Sequence, residues 1–162
     1  MIAGPAYSPK GTLILAIHSP DGTLVAARRS RNIVLRNGAS LIARLFAGAA
    51  GTVAVNQVRV GFATEAASTE VTALTPPQGS VAPEALATPL QPADFTIITD
   101  QPGSVKVLVN ATFKPTVELQ DVSEAGLMAD DVLYNQVVFE PVTLRPGQDV
   151  TFFWEIDFPF GH

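Results

Sequence analysis

The sequence contains no cysteine. Disulfides, thiolate nucleophiles and cysteine-ligated zinc are therefore excluded. Charge is scarce as well: Asp, Glu, Lys and Arg make up 15% of the 162 residues, against about 25% in an average soluble domain. A surface with so few charges does little to keep copies apart, which predicts self-association. No apolar run approaches the ~18 residues of a membrane-spanning helix, so no membrane partner is expected. The amino-terminal residues Met1–Gly11 lack a basic region followed by an apolar one, so no secretory signal is expected. There are two histidines. His18 adjoins a turn and His162 stands at the far end, neither with a companion at metal-ligand spacing. The HExxH, GxSxG and Walker patterns are missing. Asp130-Asp131 offers too few oxygens for calcium. Glu155 and Asp157 have a spacing that some hydrolases use for paired carboxylates, but any polar strand face repeats it. The expectation is a protein with no catalytic site, no metal and no cofactor.

What the sequence does have is an aromatic ribbon near its carboxyl end. Val150, Phe152, Trp154, Ile156 and Phe158 alternate with Asp149, Thr151, Glu155 and Asp157, with Phe153 the single apolar exception. A period of two marks a half-buried strand. Arg145-Pro146-Gly147-Gln148 before it has type II turn chemistry: proline presets the second position and glycine takes the positive φ of the third. The preceding run, Val137-Val138-Phe139 with Val142 and Leu144, is interrupted by Glu140-Pro141. Proline gives no N–H to a ladder, which predicts a bulge or an edge there. The core is expected on this hairpin, with Trp154 buried.

From the beginning, Thr12–Ile17 and Thr23–Ala27 read as a hairpin about Ser19-Pro20-Asp21-Gly22. Arg28, Arg29 and Arg31 follow. The net charge of −5 and the lack of interleaved aromatics argue against nucleic acid. Asn37 is placed as the cap of one amphipathic helix. Leu41, Ile42, Leu45, Phe46 and Ala49 form its apolar stripe, expected to lie against the sheet, with Gly48 or Gly51 as its stop. Val58, Val60 and Phe62 share one strand face. Residues 64–93 hold five of the thirteen prolines, among them Pro76 and Pro77. So long an irregular stretch is uncommon in a compact domain and predicts an arm that contacts a neighbour, or a loop pinned by one. Strands follow at Asp94–Thr99, Val105–Phe113 and Val117–Val122, with a corner expected at Glu124–Leu127. The chain reads as a single domain, an antiparallel β-sandwich of seven or eight strands with one short helix packed on it.

Asn32–Gly38, the short helix, Val58-Arg59-Val60-Gly61 and Glu124-Ala125-Gly126-Leu127 before the closing hairpin together resemble a group of small proteins of tailed bacteriophages and phage-like particles. The resemblance covers roughly residues 30–158. Ala63 and Met128 stand where the group has a second turn glycine and a phenylalanine. The first thirty residues lie outside the pattern and are expected to form this protein's own attachment hairpin. The resemblance implies a non-enzymatic component of the virion, made in the host cytoplasm: a tail, baseplate, collar, fibre-attachment or capsid-surface protein. Its partners would be copies of itself and other virion proteins.

Charge is unevenly divided. Residues 1–60 hold seven basic residues and one acidic, and residues 61–162 three basic and fourteen acidic. Either a basic patch on one copy meets an acidic patch on the next, or the two halves neutralise each other within one fold. The candidate interface residues are Arg28, Arg29, Arg31, Pro76, Pro77 and Tyr134. An alternative is a carbohydrate-binding module that grips a host surface glycan through exposed aromatics, for which Tyr7, Phe62, Tyr134, Phe153 and Phe160 are the candidates.

Overall fold

Strict alternation gives residues 149–159 two unlike faces, and such a strand belongs in the middle of a layer, with its apolar side turned to a second layer. The computed structural model describes residues 10–161; Tyr7 and His162 lie outside them. One antiparallel sheet contains β1 (Lys10–His18), β2 (Leu24–Arg31), β6 (Phe95–Ile98), β7 (Ser104–Phe113) and β11 (Asp149–Pro159), in the order β2-β1-β11-β7-β6. The other has the order β3-β10-β8-β4-β5, built from β3 (Ile33–Val34), β4 (Gln57–Gly61), β5 (Ala87–Pro89), β8 (Leu119–Ala129) and β10 (Asn135–Leu144), with β9 (Val132–Leu133) paired to β8. One helix, α1 (Arg36–Ala47), accompanies them. The protein is a β-sandwich. Eleven strands, not seven or eight, occur among the described residues. The surplus is in β3, β5 and β9, which are two or three residues long. Elements that short carry no readable period.

The inner faces meet as predicted. Leu13, Leu15 and Ile17 of β1 and Val150, Phe152, Trp154 and Ile156 of β11 pack with Val122, Ala125, Val137 and Leu144 of the second sheet. Trp154 is 0% exposed and stacks on Phe152 with ring centroids 5.7 Å apart. Phe113 meets Phe152 edge-on at 6.4 Å, a favoured aromatic geometry. The turn before β11 has Gly147 at φ 88° and closes with Gln148 N–H donating to the Arg145 carbonyl at 3.2 Å. The register between β8 and β10 shifts between Val138 and Val142, the bulge expected at Glu140-Pro141. The first hairpin is tied by Asp21. Hydrogen bonds from the Ser19 hydroxyl and the Thr23 N–H hold its carboxyl down at about 2.

The first hairpin is part of the first sheet, since β1 lies between β2 and β11 and pairs with β11 from Lys10 to His18. Several expectations are corrected. Glu124–Leu127 is no corner: it runs through the middle of β8. The irregular residue is Asp121, at φ 59°. Asn37 does not cap α1. The N-cap is Leu35, with no side-chain capping bond, while Gly48 ends the helix in the left-handed conformation. Of the predicted stripe only Leu41 is buried, and Phe46 is 95% exposed. The helix rests by its first half on β9 and Tyr134, and its second half projects. Gly38 is the contact point: a Cβ there would collide with the Tyr134 carbonyl. The proline-rich stretch 64–93 is no free arm. It includes 3-10 turns at Pro83–Leu86 and Pro92–Asp94 and buries Leu86 and Leu90 in the core.

Candidate functional site

On a strand, residues opposite each other in a ladder share a face. Val138 lies opposite Glu124, while their neighbours Val137 and Ala125 point into the core. Glu124, Gln136, Val138 and Glu140 therefore belong to the outer face of the second sheet. Residues 62–82 cross this face and divide it into a closed half and an open half.

A polar clasp holds the closed half. Glu124 is 0% exposed. Its carboxyl accepts the Thr75 backbone N–H and the Gln136 side-chain amide at 2.7 Å. Gln136 in turn accepts the Ser68 N–H at 3.3 Å. The Ser123 hydroxyl donates to the Ala63 carbonyl at 2.6 Å, and Phe62 N–H donates to the Thr75 carbonyl at 3.0 Å. Buried polar groups need partners of this kind. Gly61 makes the room, since a Cβ there would run into the Glu124 side chain. Gly126 does the same beside Leu133 and Asn135, and Asn135 accepts the Leu127 N–H at 2.8 Å. Beneath the loop, Val71 and Leu74 pack on Leu35, Met128 and Leu133. At its rim Arg36 grips Glu70 through two bonds of 2.8 and 2.7 Å. This pairing raises the guanidinium's pKa and lowers that of the carboxyl.

The open half is a groove of about 940 Å3. Phe62, Val138 and Phe139 are among its apolar lining residues, together with Pro76 and Pro77. Glu65, Glu118, Asp121 and Glu140 line it, and no basic side chain does. Arg145 reaches Glu118 at 3.0 Å. Glu65, Asp121 and Glu140 have no ion-pair partner among the described residues. The groove thus combines an anionic and an apolar lining.

The predicted interface residues fall in three different places. Pro76 and Pro77 line the groove. Arg28 is engaged inside the fold: it donates to the carbonyls of Glu140 at 3.0 Å and Pro141 at 3.2 Å, and the Ser30 hydroxyl donates to Val138 at 2.9 Å. These bonds lace the β2 edge to the β10 edge where the bulge leaves carbonyls without a ladder. Arg29 and Arg31 are exposed, opposite Ile14 and Thr12 in the ladder. They lie on the outer face of the first sheet, away from the groove. Tyr134 is only 2% exposed, which removes it as a surface contact. Both Glu124 and Gln136 organise the site, but the sequence marks Glu124 only as part of the Glu124-Ala125-Gly126-Leu127 motif and does not mark Gln136; the glycines at 61 and 126 were the available signal.

Burial pushes the Tyr134 phenol up to about 12, and its hydroxyl has no hydrogen-bond partner. An unpartnered buried hydroxyl costs about 1–3 kcal/mol. Tyr134→Phe is therefore expected to leave the fold intact and to raise or preserve its stability in chemical denaturation. The unfolded phenol ionises near pH 10, whereas the folded one keeps its proton up to about 12. The folded state binds more protons in that window, so stability falls as pH rises from 10 to 12. The variant should lack this part of the alkaline decline; an unchanged profile would contradict the assignment.

Glu155 and Asp157 are not a free carboxylate pair. Lys106 lies 2.5 Å from Glu155 and 3.6 Å from Asp157, and the Glu155 bond above all raises the ammonium's pKa. Among the described residues no three His, Asp or Glu side chains come together as a metal site. Comparison with family models, with curated proteins and with solved structures finds no match.

Proposed function

We propose that this chain is a structural subunit of a bacteriophage or phage-like particle, acting through contacts with copies of itself and with other particle proteins. The roles that fit are tail, baseplate, collar or fibre attachment, with capsid-surface decoration as the alternative within the same class. One observation carries the reading. The segments that bear the resemblance, far apart in sequence, converge on one construction: Gly38 against Tyr134, Gly61 against Glu124, and Gly126 against Leu133 and Asn135. Their motif residues build a scaffold. The projecting half of α1 supports an assembly role, because Phe46, Ile42 and Leu45 are exposed together, and clustered exposed apolar side chains mark interaction surfaces. The glycan-binding alternative loses one of its five candidate aromatics with the burial of Tyr134.

The test is recovery of the chain in purified particles from cells that carry its gene, read by mass spectrometry of separated heads and tails. Stoichiometric amounts in one fraction are the expected result. A chain found only outside particles would refute the proposal.

A further inference from the structure

The two outer faces of the sandwich each carry charges without an ion-pair partner among the described residues, Arg29 and Arg31 on the first sheet and Glu65, Asp121 and Glu140 in the groove of the second. On the first sheet Lys106 bonds Glu155 at 2.5 Å and lies 3.6 Å from Asp157, Lys114 holds Asp149 at 2.8 Å, and Arg31 lines a cavity with Glu155 and Asp157. Arg29 and Arg31 have no ion-pair partner among the described residues. They flank apolar surface, since Arg29 lies opposite Ile14, and Ile14 opposite Phe153. On the second sheet the groove presents Glu65, Asp121 and Glu140 together with its apolar lining. A basic rim beside apolar surface on one layer therefore matches an acidic rim around apolar surface on the other.

We propose that the groove of one copy receives the outer face of β2 of a second copy, with Arg29 and Arg31 of the incoming subunit set against Glu65 and Glu140. This rests on the assembly reading above and names the surface and the partner. Because donor and acceptor lie on opposite layers, the contact is head-to-tail, and repetition gives a closed ring or an open stack. Arg28 cannot take part, as its guanidinium is already bound to the carbonyls of its own β10.

The test is a charge swap in the full chain. Arg29, Arg31, Glu65 and Glu140 are all exposed, so reversing them should spare the fold, which circular dichroism checks. The wild-type chain is expected to self-associate at low salt in sedimentation velocity and to dissociate as salt rises. R29E/R31E alone and E65K/E140K alone should each associate more weakly by about tenfold or more. Mixing the two variants should restore association, because each supplies the sign the other lacks. A monomeric wild type at low salt, variants that associate as wild type does, or a mixture that stays dissociated would each overturn the proposal. If the chain is present in particles while the swap has no effect, this contact falls and the assembly reading stands. If the swap behaves as expected but particles lack the chain, the assembly reading falls and the head-to-tail contact stands.

Discussion

Trp154→Ala is expected to destabilise the fold by about 3–5 kcal/mol, the range for deleting a large aromatic from a core. Domains of this kind have only about 5–15 kcal/mol in total, so the variant should be largely unfolded at modest urea concentrations. The reason is local. Trp154 is fully buried, stacks on Phe152 and sits on a strand with neighbours on both sides. Phe152, which Phe113 meets edge-on, would lose its stacking partner. Far-ultraviolet circular dichroism against urea measures the effect, since the chain's only tryptophan is lost as a fluorophore. Trp154→Phe separates packing from polarity. The indole N–H has no partner, so part of the lost packing is offset by removing an unsatisfied donor. A Trp154→Ala variant as stable as the parent would mean that the sandwich core lies elsewhere.

Glu124→Ala should be the next most damaging change, and its effect should be concentrated in one region. Removing the carboxyl strands the Thr75 N–H and the Gln136 amide in a buried place. At about 1–3 kcal/mol for each of the two stranded groups, the loss is about 2–6 kcal/mol. Residues 62–82 should respond before the sheets do. Few apolar side chains anchor them, so without the clasp they become a region of low local stability. Hydrogen exchange should show early loss of protection at Thr75 and Ser68, and limited proteolysis should cut within the loop. Glu124→Gln keeps the shape and an acceptor oxygen, and it should be milder. Uniform weakening of the whole domain, with the loop no worse than the rest, would show that the clasp does not act as a separate unit.

The layers of this protein were legible because their signals are local. The alternation from Val150 to Phe158, the Pro146-Gly147 turn and the proline at 141 each act within a few residues, and each appears in the structure where the sequence placed it. The clasp was hidden because its partners are distant. Glu124 reads as part of a corner until Thr75 and Gln136 are seen beside it. Tyr134 follows Asp130-Asp131 and so reads as a loop residue, yet the β8–β9 turn returns it beneath α1. Arg28 resembles its neighbours Arg29 and Arg31, and only strand alternation with the bulged edge of β10 sets it apart. The helix stripe misled for a different reason. Helical period records amphipathicity, but not whether the body or another surface covers the apolar side.

The position of β11 has a consequence for how the chain comes to be folded. On the ribosome β1 and β7 emerge first, and the strand that must lie between them follows only after the whole second sheet has been made. Until then the first sheet is two hairpins with bare apolar faces and open edges, a state exposed to mispairing. Temporary shelter by a chaperone, or a slow pace of synthesis through the second sheet, would matter most in that interval. In the finished sheet β11 joins the two hairpins, pairing with β1 on one side and β7 on the other.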